Sequence, residues 1–224
     1  MSGLLHYFDN VDWADIGVAA SDTMVMLSTS LVFTVLVGLP LGVLLFLCSP
    51  RQLLEQKNVY SILGFVVNAI RSLPFIILLI VMIPTTILIT GTSLGVAGAI
   101  PPLVVGASTF FARLVETALR EVDRGIIEAT QAMGATTRQI IMNALLPEAC
   151  PGIIAAITVT AIALVGYTAM AGVVGAGGLG DLAIRYGYQR FQDDVMVVTV
   201  VMLIVLVQVL QTVGDKLVVH FSRK

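Results

Sequence analysis

Ser72–Ala112 reads SLPFIILLIVMIPTTILITGTSLGVAGAIPPLVVGASTFFA, 41 residues without a charged side chain. A helix crosses about 30 Å of hydrocarbon with about 20 residues, at about 1.5 Å each. The run is too apolar for water and too long for one span. Pro84, Gly91, Gly95 and Pro101-Pro102 divide it, which predicts two spans joined by a short neutral turn. Outward from it lie three more charge-free runs: Thr23–Pro50 (28 residues), Ala149–Gly180 (32) and Val195–Gly214 (20). The expectation is five spans, near 21–47, 60–88, 95–117, 151–173 and 194–214, in one all-α integral membrane domain covering 1–224.

Composition agrees. Of 224 residues 58% are hydrophobic and 12% charged, against about 25% charged in soluble domains. Mean hydropathy is +1.00. Soluble and disordered classes are excluded, and a net charge of −2 gives no basic balance for nucleic acid.

Lysine and arginine set the orientation. Residues 1–22 contain neither, but carry Asp9, Asp12, Asp15 and Asp22. With the N-terminus outside, ten of the 12 basic residues fall on the inner side: Arg51, Lys57, Arg71, Arg113, Arg120, Arg124, Arg138, Lys216, Arg223 and Lys224. Only Arg185 and Arg190 fall outside. This predicts an N-terminus on the outer side and a C-terminus on the cytoplasmic side. No cleavable signal peptide is visible, because the first apolar run lacks a basic leader, starts late and runs long. Cys48 and Cys150 sit near cytoplasmic span ends and read as reduced and structural; two cysteines alone make no metal site. His6 and His220 form no constellation, and no nucleophile–base set supports a membrane enzyme.

Arg113–Glu148 is too polar for the membrane, yet it is organised. Gly125–Met133 predicts a short helix with Asp123 near its start. Gly134 stops it by accepting a left-handed backbone. Thr136 with Gln139 forms a capping box for a second helix over Thr137–Leu146, which ends at Pro147. The product is a helix–glycine–helix elbow over about 123–147, which is either a docking surface for a soluble partner or a plain connecting loop. Arg113, Glu116, Arg120 and Arg124 read as a solvated face of i,i+4 pairs, with contacts to a docked soluble partner as the alternative.

Glu128-Ala129-Thr130, then Gly134, then Leu146-Pro147 resembles the "EAA" loop of ABC importer permeases, with Glu-Ala-Ala, Gly, Ile and Leu-Pro at the same offsets. Thr130 replaces the second Ala of that pattern, and Ala144 stands where Ile is usual. Arg71-Ser72-Leu73-Pro74-Phe75-Ile76-Ile77-Leu78-Leu79 is similar to the second-span segment of amino-acid importer permeases. Leu164–Met170, Gly175–Gly180 and Tyr186-Gly187-Tyr188 are similar to the methionine importer permeases in particular.

The resemblance implies a type I ABC importer permease fold in the bacterial inner membrane. It implies a homodimer, two cytoplasmic ATPase subunits that carry the ATP and magnesium, and an extracytoplasmic methionine-binding protein, the whole embedded in membrane lipid. This chain would itself hold no cofactor and no metal and would bind no nucleic acid. Glu128, Ala129, Thr130, Gly134, Ala135, Thr136, Leu146 and Pro147 would form the ATPase coupling contact. The substrate would be methionine, with its enantiomer open; another small amino acid is the alternative. The chain has no Gly-x-x-x-x-Gly-Lys-[Ser/Thr] loop, so an ATP-driven version needs a separate engine. A stand-alone carrier or a membrane scaffold is the reading from a different class.

Three further residues are candidates for the translocation pathway. Arg71 either faces a cavity within the bilayer or snorkels to the headgroups. Tyr167 and Met170 either line the pathway or pack. Gly175–Gly180 spells a dinucleotide fingerprint, but it follows a span and faces outward. It reads as a flexible turn that touches the binding protein or shapes an outer gate, or as a plain glycine-rich loop. Gly38 and Gly42, a GxxxG pair, read as packing within the chain rather than between copies.

Overall fold

The computed structural model describes residues 11–222. His6, Asp9, Arg223 and Lys224 lie outside them. Within them the secondary structure is helical throughout. The order is α1 Trp13–Cys48, α2 Lys57–Ser72, α3 Phe75–Val81, α4 Ile83–Thr90, α5 Gly95–Arg120, α6 Arg124–Ala132, α7 Thr137–Ile140, α8 Leu146–Glu148, α9 Cys150–Val173, α10 Leu179–Leu182 and α11 Asp193–Phe221. Two π-helical segments, Ile141–Leu145 and Ala183–Tyr188, follow α7 and α10.

Four of these helices, α1, α5, α9 and α11, are each long and apolar enough to cross a membrane. The fifth candidate is a bent pair, α2 with α3. The continuous second span expected over 60–88 is therefore broken. Pro74 disfavours helical backbone at the residue before it. Helix α2 ends at Ser72, and Pro74 precedes α3 with φ −55° and ψ 136°. A second break follows at Met82, and Pro84 enters the first turn of α4, where its missing N–H costs nothing. The first span also starts earlier than its charge-free run. Asp12 Oδ1 accepts from the N–H of Ala14 (2.9 Å) and of Asp15 (3.3 Å), so the helix is capped at Asp12, well before Thr23.

The chain forms two compact units. One gathers residues up to Phe33 with Leu73–Gly106 and Ala161–Leu210; the other gathers Thr34–Ser72, Ala107–Thr160 and residues from Gln211 onward. In the first, Val11, Ile16, Ala19, Leu179, Leu182 and Val195 form a buried cluster. In the second, Phe46, Leu47, Phe111, Val115, Leu119, Val122, Ile127, Ile140 and Leu145 do so. Gly38 and Gly42 belong to this second unit. A Cβ at Gly38 would stand 2.8 Å from Phe111, and one at Gly42 would stand 2.6 Å from the Ala112 carbonyl. The pair lets α1 and α5 meet closely inside the chain, as expected for small residues at a helix contact.

Candidate functional site: the elbow and its anchorage

The elbow is built from local hydrogen bonds. Asp123 Oδ1 accepts from the Gly125 N–H at 2.7 Å and opens α6. Gly134 has φ +80°, and the chain reverses there. Its Cβ position has nothing within 4 Å, so the glycine serves the backbone and not a packing need. Thr136 Oγ1 accepts from the Gln139 N–H, and Gln139 Oε1 accepts from the Thr136 N–H at 2.8 Å, completing the capping box.

Helix α6 turns Ile127 inward and leaves Glu128, Ala129 and Gln131 exposed. Ile127, Ile140 and Leu145 join Phe111, Val115 and Leu119 in the buried cluster, with Ala135 and Leu146 packed against it. Burying a side chain such as Ile127 stabilises by about 2 kcal/mol, which fastens the elbow to this core. Thr130, where the family pattern has Ala, satisfies its hydroxyl inside the helix, donating to the carbonyls of Ile126 (2.7 Å) and Ile127 (2.9 Å). Gly134, Thr136 and Pro147 are exposed. The candidate coupling residues thus share one compact unit, with Ala135 and Leu146 packed inward and Glu128, Ala129, Gly134, Thr136 and Pro147 outward.

Pro147 does not end the second helix as expected. A proline inside an α-helix clashes with the carbonyl four residues back. Here the backbone widens into the π-helical turn Ile141–Leu145, in which the Leu146 N–H donates to the Ile141 carbonyl. Pro147 then falls in the first turn of α8. The proline is absorbed by a bulge, and the chain continues helically to Glu148.

Glu116 is not part of a solvated face. It is 4% exposed. Its carboxylate accepts from Arg113 Nη1 (2.6 Å), Arg120 Nη2 (2.7 Å) and the Tyr60 hydroxyl (3.1 Å). Arg113 Nη2 also donates to the Gly64 carbonyl at 3.1 Å. The cluster ties α2 to the end of α5, four residues ahead of α6. A buried carboxylate needs such partners. The 113–116–120 spacing was visible in the sequence, but Tyr60, which closes the cluster, lies 56 residues away.

Helix α6 also flanks the short loop after α1, which sequence reasoning passed over. Arg51 takes φ +65° there. Its N–H donates to Glu55 Oε2 at 3.0 Å, and its carbonyl accepts from Arg124 Nη2 at 3.0 Å. Together Arg51, Leu53, Arg124, Ile127, Glu128 and Gln131 line most of a cleft of about 370 Å³.

The pathway candidates fall in different units. Arg71 is exposed, with its guanidinium 5.8 Å from the centre of the Phe110 ring. Tyr167 stacks on Phe75 with ring centres 4.6 Å apart and planes 9° from parallel. Met170 is 46% exposed. Within Gly175–Gly180, the backbone packs closely at Gly178 and Gly180. Gly178 has φ +87°, the Leu179 N–H donates to Thr23 Oγ1 at 2.9 Å, and a Cβ at Gly178 would stand 2.8 Å from that hydroxyl. A Cβ at Gly180 would collide with the backbone of Ala169. Among the described residues, no group of His, Cys, Asp and Glu could hold a metal ion, and both cysteines are free.

Comparison with known proteins places this geometry. Residues 38–224 match the family described as binding-protein-dependent transport system inner membrane component. The chain is 55% identical to the probable D-methionine transport system permease protein MetI of Vibrio cholerae, over 81% of this chain and 80% of that one. It is 48% identical to the methionine import system permease protein MetP of Bacillus subtilis, over 93% and 94%. A solved inward-facing structure of the MetNI methionine ABC transporter superposes with a TM-score of 0.93 at 46% identity, covering 94% of this chain and 98% of that one. The chain belongs to the family of inner membrane components of binding-protein-dependent transport systems.

Proposed function

We propose that this chain is the membrane-spanning subunit of an ATP-driven importer for methionine. It acts as a homodimer, with its N-terminus periplasmic and its C-terminus cytoplasmic, and it hydrolyses nothing itself. A separate ATPase subunit docks on each elbow, and a methionine-binding protein delivers substrate from outside. The elbow is the observation that carries this reading. It is capped at both helices, fastened inward by Ile127, Ile140 and Leu145, and bare along Glu128, Ala129 and Gly134. A surface so fastened, with no partner of its own, suits the transfer of a closing motion from ATPase to span. ATP and the loaded binding protein favour the outward-open state, and hydrolysis releases it. The printed names of the relatives and of the structural neighbour support methionine as the cargo.

The experiment is purification of the chain from its native membrane in gentle detergent, with the co-purifying proteins identified and counted. An ABC ATPase at about one per chain, with two chains per particle, is the expected result. A chain that emerges alone, and stays alone after crosslinking through a cysteine at Ala135, overturns the reading in favour of a stand-alone carrier or scaffold.

A further inference from the structure

We infer that the loop after α1 is the second wall of the ATPase dock, and that Arg51 reads a carboxylate on that partner; the inference rests on the reading above. The backbone is the first observation. Arg51 holds φ +65°, a conformation in which glycine or asparagine is less strained. A strained non-glycine residue persists where its surroundings over-determine it, and such residues cluster at binding sites. Here the over-determination is explicit, since Glu55 takes the Arg51 N–H and Arg124 takes its carbonyl. Leu54 and Gln56 N–H groups close back on the carbonyls of Leu47 and Cys48, both at 3.1 Å, and Leu53 packs against the buried cluster. The loop is therefore fixed to the same core as the elbow.

The side chain is the second observation. Arg51 is exposed, and among the described residues its guanidinium has neither an ion-pair nor a hydrogen-bond partner. It borders the cleft of about 370 Å³ whose other wall is α6 with Glu128. Ile127 and Leu53 give the cleft an apolar floor; Arg51 and Arg124 give it positive charge and Glu128 negative charge. The complement is a protein surface that presents an acidic side chain to Arg51 and a basic one to Glu128. The cleft is continuous with the exposed elbow, so its occupant is the ATPase subunit seated there. Arg124 is a positioning residue in this arrangement, because one of its N–H groups is spent on the Arg51 carbonyl.

The test is a titration of the fluorescently labelled cognate ATPase onto the full chain in lipid nanodiscs, across a salt series. Arg51→Glu should raise Kd about tenfold at low salt, and the difference should shrink as salt screens the charge. Arg51→Gly removes the charge while suiting the backbone, so it should keep the melting temperature and still raise Kd several-fold. Arg51→Lys should restore part of the affinity. If Arg51→Gly and Arg51→Glu bind as tightly as the wild type while Glu128→Arg binds weakly, the ATPase rests on the elbow alone and this inference is wrong. If the wild-type chain binds no ATPase, the docking reading itself falls and takes the inference with it.

Discussion

Gly134 and Gly178 are both glycines at positive φ in turns between helices, and they do opposite things. Gly134 stands open, with nothing within 4 Å of its Cβ position, and turns the chain so that flanking side chains face outward. Gly178 is enclosed by Thr23 and Met26, and its neighbour Gly180 lies against the Ala169 backbone. One turn is a presented surface; the other is a seam closed by the absence of side chains. A glycine-rich stretch therefore says that the backbone is special, and only its surroundings say whether the reason is shape or contact.

This contrast breaks most visibly at the elbow's root. Glu116→Ala would leave the largely buried Arg113 and the half-solvated Arg120 without their shared carboxylate, which should destabilise by about 3 kcal/mol. Thermal unfolding in detergent reads this, and a wild-type melting temperature would mean that the cluster does not anchor α2 to α5. Gly180→Val forces a branched side chain into backbone and should cost about 3 kcal/mol. Retained folding would show the seam to be looser than its geometry. Gly134→Ala meets no neighbour, so only backbone strain of about 1 kcal/mol is expected; transport should fall more than stability does, because the elbow's presented face is tilted. Equal loss in both would make Gly134 a structural glycine like Gly178. Thr130→Ala removes a hydroxyl bonded only within its own helix, and should change stability by less than about 0.5 kcal/mol and leave uptake near the wild-type rate.

What was legible in the sequence follows the range of the interactions. Asp123, Gly134 and the Thr136–Gln139 box act over a few residues, and each appears in the structure at its expected place. The apolar runs located the spans, because hydrocarbon thickness fixes their length. Two proline effects differ from what local pattern predicts. Leu73-Pro74 breaks the second span although the apolar count runs straight through it, and Pro147 is absorbed by a π-helical turn that no composition signals. The burial of Glu116 depends on Tyr60, and the setting of Arg51 depends on Arg124, which lies 73 residues on. Neither partner is marked by local spacing, so a charge on a helix face reads as solvated and the short loop after α1 draws no attention. Of the pathway candidates, Tyr167 has gained a stacking partner in Phe75, while Arg71 and Met170 remain exposed.

Uptake of labelled methionine into liposomes that hold this chain with its ATPase and receive the loaded binding protein tests the central claim most directly, comparing the wild type with Glu128→Arg. The account predicts uptake that requires ATP and survives an ionophore, and that is lost in Glu128→Arg while the chain still inserts and pairs. Uptake that proceeds without ATP and collapses with the ionophore, or that is unchanged in Glu128→Arg, would contradict it.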